Sequence, residues 1–245
     1  MIKNRTVLHK RILSAALIFI MSLIFYTHAF SLELTLWEHY SDGYERAFEY
    51  ARENELPLII FFHIDGDTWS EKLAENYLTT YEVENFLTDI PKVEINPQIG
   101  DAELSISNKF KVKQFPTLFI SIPCCMNEPK KVNPFLKDKE MTTEEFLQRI
   151  KDVIVGQYSD IGNEYLQNKR YEEAIHHFEM AIEVDPEKAY GYYAIGVVYH
   201  TRSAESNDIE YAEKAQEFYK KALKIEPDHI ESIRELERFR QNLDK

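Results

Sequence analysis

LPLIIFFHIDGDTWSEKL, residues 56–73, sets the frame for everything around it. Leu58 to Phe62 is an apolar run bounded by Pro57 on one side and Asp65-Gly66-Asp67 on the other. Its length, β-branching and Gly stop predict a strand buried on both faces. After the stop, Thr68 or Asp67 is placed to cap a helix through SEKLAENYL, with Glu71 three residues beyond Thr68 as a capping-box partner. A strand, a tight turn and a helix start is where α/β proteins often keep their chemistry.

The neighbouring segments extend this α/β pattern in both directions. Leu32–Trp37 alternates apolar and polar residues, as a short edge strand does. Tyr44–Arg52 has helical spacing, with Tyr44, Ala47, Phe48 and Ala51 on one face. Tyr81–Leu87 reads as a short helix, Lys92–Ile95 as a strand with polar alternation, and Asp101–Phe110 as a helix with Ala102, Ile106 and Phe110 on one face. Leu118–Ile122 is a further strand, and Lys130–Phe135 a last one whose Pro134 suits a sheet edge. Thr142–Ile154 closes the region as a helix, capped by Thr142 or Thr143, with Phe146, Ile150 and Ile154 inward.

This order, and above all residues 56–73, resembles the thioredoxin superfamily and its secreted members. Aligned on Phe61-Phe62 and Lys72-Leu73, the two cysteine positions of that family's Cys-x-x-Cys motif fall on Asp67 and Ser70, with Trp69 between them. Pro116, in the Val112-Lys113-Gln114-Phe115-Pro116-Thr117 context, matches the family's cis-proline, which faces the motif. The resemblance implies a thioredoxin-like domain over residues 32–155 whose active-site positions Asp67, Trp69, Ser70 and Pro116 are degenerate. Thiol-disulfide exchange needs a thiolate, and neither Asp67 nor Ser70 supplies one, so no catalytic residue is expected there. In redox-active relatives the groove beside the proline holds an extended polypeptide. Here it either binds a peptide without chemistry or is vestigial. Asp65-Gly66-Asp67 also resembles the first motif of haloacid-dehalogenase-like phosphatases, but Thr68 comes one place early and no acidic metal motif follows a later strand.

Residues 1–29 read as a secretory signal peptide. Lys3, Arg5, Lys10 and Arg11 precede an apolar run from Ile12 to Tyr26, and Ala29 is a small residue before a cut. The expected location is therefore outside the cytoplasm, in a bacterial periplasm, with contact to a membrane only through an uncleaved leader. The chain carries 29 basic against 42 acidic residues, a net charge of −13, and the leader holds four of the basic ones. Such a balance argues against nucleic acid as a partner. Cys124 and Cys125 are adjacent and match no zinc or redox spacing, so neither a metal nor a cofactor is expected. They read as a turn with one buried and one exposed thiol, or as a strained vicinal or intermolecular disulfide.

Residues 156–245 carry an internal repeat. The first copy has Tyr158, Ile161, Gly162 and Tyr165, then Ala174, Phe178, Ala181 and Pro186. The second has Tyr192, Ile195, Gly196 and Tyr199, then Ala215, Tyr219, Ala222 and Pro227, with seven extra residues expected to lengthen the turn between its helices. Both resemble the tetratricopeptide repeat, a helix-turn-helix unit. Ile230–Leu243 departs from it, with Glu237 and Arg240 at the Gly and Tyr places, and reads as a polar capping helix. His176-His177 read as surface or groove-edge residues, and Asn163, Tyr193 and His200 as candidates for a concave binding face. The resemblance implies protein partners.

The expected fold is thus an α/β thioredoxin-like domain followed by all-α tetratricopeptide repeats. The expected function is an exported, non-catalytic adaptor that binds a protein of the cell envelope. Two alternatives stand beside it: a thiol-disulfide oxidoreductase using Cys124 or Cys125, and a periplasmic chaperone.

Overall fold

Every side chain of Leu58–Phe62 is buried, and the run forms the central strand of a five-stranded sheet. The computed structural model describes residues 32, 34–125, 128–135 and 140–243, so the expected leader lies outside the described residues. The sheet contains β1 (Glu38–His39), β2 (Leu58–Phe62), β3 (Lys92–Ile95), β4 (Thr117–Ser121) and β5 (Lys130–Val132) in the order β1-β3-β2-β4-β5. β1, β3 and β2 run parallel, while β4 is antiparallel to β2 and β5 to β4.

The period of two divides β2 between two cores. Leu58, Ile60 and Phe62 pack with Val93, Ile95, Phe119 and with Tyr44, Ala47 and Ala51 of α1 (Tyr40–Glu53). Ile59 and Phe61 pack with Leu118, Ile120 and the helices on the opposite face. Burying each such side chain contributes roughly 1.5–3 kcal/mol, so covering both faces makes this strand the anchor of the domain. Asp67 caps α2 (Thr68–Leu73), which runs into a π-helical turn at Ala74–Leu78, and α3 (Tyr81–Phe86) follows. α4 (Asp101–Lys109) shares the α1 face.

Several local expectations are corrected. Leu34–Trp37 forms a turn, not the expected strand. Trp37 N donates to the Leu34 carbonyl at 2.9 Å, so Leu34 and Trp37 both point inward from a turn and the edge strand starts at Glu38. Of the two expected caps for α2, Asp67 takes the position and Thr68 begins the helix, so Thr68 and Glu71 form no capping box. The polar residues of β3 do not face water: Lys92 donates to the Leu87 carbonyl at 2.7 Å, and Glu94 accepts from Leu34 N and lies 2.7 Å from His39 Nδ1. On α4, Ala102 is exposed and Glu103 is buried, since the Glu103 carboxylate accepts from Ser41 N at 3.0 Å. β5 ends at Val132, before Pro134.

α5 (Thr143–Gln167) is capped by Thr142 in a full capping box with Glu145. It does not stop at Ile154. One unbroken helix carries both the closing helix of the sheet domain and the first helix of the repeats, so the border expected at 155/156 falls inside it. α6 (Tyr171–Val184), α7 (Ala189–Ser206), α8 (Ile209–Ile225) and α9 (Ile230–Leu243) follow. The seven extra residues do not lengthen the turn. Asn207 and Asp208 alone separate α7 from α8, because the insertion extends both helices. Asn207 ends α7 in the left-handed region and Asp208 caps α8 by accepting from Glu210 N.

The sheet core continues without a break through Phe146, Ile150, Ile154, Val155, Tyr158 and Ile161 to Ala181 of α6. Polar bonds frame that seam. Tyr158 donates to the Glu55 carbonyl at 2.8 Å, Gln157 Nε2 to the Ile120 carbonyl at 3.0 Å, and Gln148 Nε2 to Asp185 Oδ2 at 2.7 Å. The first repeat is therefore docked on the α/β domain by a shared core.

Candidate functional site

The turn after β2 is built around Gly66, whose φ of +73° suits a residue without a Cβ. The turn delivers Asp67 to the N-terminus of α2, where its Oδ2 accepts from Ser70 N and from Ser70 Oγ, both at 2.8 Å. Ser70 is fully buried. The two positions where the resembled family carries cysteines thus hold a carboxylate and a hydroxyl that are bonded to each other. Trp69 is half-exposed and packs edge-on against Phe135, with centroids 4.9 Å apart and Lys72 Nζ 5.1 Å from its ring. The Phe115–Pro116 bond is cis. Thr117 pairs with Phe62, so Pro116 and the Asp67 turn share one end of the sheet. The indole turns toward Phe135.

His63, next after β2, is 3% exposed and its ring stacks on Phe61. Its Nδ1 has no hydrogen-bond partner, and Asp65 Oδ1 lies 3.6 Å away. Burial pushes the imidazole down to about 4, against the pull of the Asp65 carboxylate.

A second cluster forms where β4 meets the repeats. The Cys124 and Cys125 Sγ atoms are 2.7 Å apart, both thiols are free, and both are partly buried. His177 of α6 approaches from the other side, with Nε2 4.0 Å from Cys125 Sγ. The reading of His177 as a surface or groove-edge residue is corrected, for it is 1% exposed. Its neighbour His176 is exposed and reaches Glu55 at 2.9 Å. The signal for His177 was present in the sequence: it sits three residues after Ala174 and four before Ala181, on the buried stripe of its helix. A cavity of about 330 Å³ opens beside the thiols, lined by Ile161, Glu164, Tyr165, Asn168 and Arg170. Burial, then the neighbouring Cys125, hold the Cys124 thiol above its ordinary range.

The repeat positions pair small residues with large ones across each helix hairpin. A Cβ on Gly162 would lie 2.7 Å from the Phe178 ring, and one on Gly196 would lie 2.6 Å from the Tyr219 ring. Ala174, Ala181, Ala215 and Ala222 are buried beside them, as is Tyr158, while Tyr165, Tyr192 and Tyr199 are partly buried. Pro186 and Pro227 lie just past the ends of α6 and α8. Of the three concave-face candidates, Asn163 bonds Tyr190 across α5 and α7 at 2.9 Å. Tyr193 and His200 instead pack against the end of the array, Tyr193 on His229 at 5.2 Å and His200 on Phe239 of α9 at 4.7 Å.

Two family models match the chain: a TPR repeat over residues 162–202 and a tetratricopeptide repeat over residues 198–229. No curated protein matches it. Among solved structures, a thioredoxin from Thermus thermophilus is 15% identical, covering 48% of this chain and 86% of its own, with a TM-score of 0.38. A DsbH oxidoreductase is 21% identical, covering 47% and 81%, with a TM-score of 0.36. The first TPR of Spaghetti (RPAP3), bound to an HSP90 peptide, is 19% identical, covering 38% and 94%, with a TM-score of 0.21. Tetratricopeptide repeats indicate protein partners. With its β1-β3-β2-β4-β5 sheet, a cis-proline before β4 and two matched repeats, the chain joins a thioredoxin-like α/β domain to a tetratricopeptide array.

Proposed function

We propose that the protein is an exported, redox-silent adaptor: its thioredoxin-like domain is a rigid base, and its repeats dock a protein partner of the cell envelope. The observation that carries this reading is the mutual bond between Asp67 Oδ2 and Ser70 Oγ at the place of a thiol pair. A carboxylate that caps a helix and binds a buried hydroxyl leaves no thiol at these two positions for disulfide exchange. The continuous α5 and the shared core fix the repeats relative to the sheet, which suits a part that positions one protein against another. The basic start and apolar run of the leader favour export into a space such as a bacterial periplasm.

An insulin-reduction assay on the full chain tests this. The expected result is turnover no greater than that of a Cys124→Ser/Cys125→Ser control, and turnover above that control refutes the reading. An oxidoreductase centred on Cys124 would need a thiolate, whereas burial holds that thiol in its protonated form at neutral pH.

A further inference from the structure

The cysteine pair and His177 belong to different parts of the fold, yet they converge. Cys124 and Cys125 follow β4 of the sheet domain, and His177 comes from the second helix of the first repeat. One ligand atom from each of the three lies within 4.8 Å of the others. The orientation of the imidazole is informative. Its Nδ1 is 2.9 Å from the Glu173 carbonyl, which can only accept, so Nδ1 carries the proton. In the neutral ring Nε2 then turns a lone pair toward Cys125 Sγ. A backbone carbonyl that fixes one imidazole nitrogen and frees the other is the usual support of a metal-bound histidine. The cavity of about 330 Å³ beside the sulfurs has room for a further ligand.

We propose that Cys124, Cys125 and His177 form a binding site for a soft d10 cation, Zn²⁺ or Cu⁺, at the seam between the two domains. Two sulfurs and an imidazole are the donor set such ions take, and oxygen-seeking ions such as Mg²⁺ or Ca²⁺ do not suit it. The sulfurs must part, because two Zn–S bonds of about 2.3 Å at a tetrahedral angle hold their sulfurs about 3.7 Å apart. Rotation of one cysteine side chain toward the cavity supplies that separation. Binding replaces two S–H bonds by two metal–sulfur bonds and releases two protons to solvent, so affinity rises with pH. The ion offsets the repulsion between two adjacent thiolates. Because its ligands come from both sides of the seam, it also clamps the first repeat onto the sheet domain.

Titration of the full, reduced chain tests the site, with Co²⁺ as an optical stand-in for Zn²⁺ and a chromophoric chelator competing for Cu⁺. The expected result is one equivalent of Zn²⁺ or Cu⁺ per chain, and for Co²⁺ an intense sulfur-to-metal absorption. Cys124→Ser/Cys125→Ser should abolish binding, and His177→Gln, which removes a ligand, should weaken it by at least the roughly tenfold that loss of an outer supporting group costs. His176→Gln, on the exposed neighbour, should leave it unchanged. Circular dichroism of each variant separates loss of a ligand from loss of the fold. The proposal is overturned if the folded, reduced wild type binds neither ion stoichiometrically. It is overturned equally if the double serine variant binds as well as the wild type, or if the pair is recovered from cells as a Cys124–Cys125 disulfide.

Discussion

His63→Phe should flatten the acid side of the stability profile. His63 is buried against Phe61, and burial pushes its imidazole down to about 4 from an ordinary value of 6.5. Above pH 6.5 neither the folded nor the unfolded chain protonates it. Between 6.5 and 4 the unfolded chain binds the proton and the folded one does not, so stability falls as pH falls. At about 1.4 kcal/mol per pH unit, a window of about 2.5 units amounts to about 3 kcal/mol, fully present above pH 6.5 and lost by pH 4. The groups facing the ring do not reverse the sign. Burial, with His39 acting in the same direction, outweighs Asp65, which draws the proton in. Phenylalanine keeps the stack on Phe61 and gives up no bond at Nδ1, which makes none. Urea unfolding followed by tryptophan fluorescence is the assay, because both tryptophans, Trp37 and Trp69, report on the sheet domain. The wild type should lose about 3 kcal/mol relative to His63→Phe between pH 7.5 and 4. Parallel loss in the two proteins, or a His63 titration near 6.5 by NMR, would refute the reasoning.

Gly196→Ala should destabilise the array by about 1–3 kcal/mol, since its Cβ would meet the Tyr219 ring at 2.6 Å. Gly156→Ala, in the open middle of α5, should instead stabilise by about 0.5–1 kcal/mol, and thermal unfolding of the pair checks both signs. Asp67→Ala should cost about 1–2 kcal/mol by removing the cap of α2 and leaving Ser70 Oγ without its acceptor, measured by urea unfolding, with Asp67→Asn closer to wild type. Tyr158→Phe should cost about 1 kcal/mol through the lost bond to the Glu55 carbonyl, and should raise hydrogen exchange along the seam.

The central strand was legible because five apolar residues between Pro57 and Gly66 have only one comfortable place in an α/β fold. The repeats were legible because the same small and large residues recur at the same spacing, and Gly162 and Gly196 prove to touch the aromatic rings that pattern pairs with them. The misses share a cause. Glu94, Glu103 and Lys92 are polar residues that the fold buries by giving them backbone partners far along the chain or in a neighbouring loop, and no local pattern announces such a bond. Leu32, Leu34 and Leu36 mimic strand alternation, but Leu34 and Trp37 pack inward from a turn and Leu36 is exposed. The cysteine cluster was illegible for a stronger reason: Cys125 and His177 are separated by 52 residues, and only docking of the first repeat brings them together.

That docking changes what two domains mean for this chain. A flexible linker would let the repeats search for a partner independently of the sheet, but α5 belongs to both halves and its inward residues never cease to be buried between Phe146 and Ile161. Separating the halves would expose Val155, Tyr158, Ile161 and Ala181 together and leave the Ile120 carbonyl without the Gln157 amide. Exposing three large apolar side chains costs about 1.5–3 kcal/mol each, a sum comparable to the net stability of an ordinary domain. The repeats are therefore held in one orientation relative to the sheet domain.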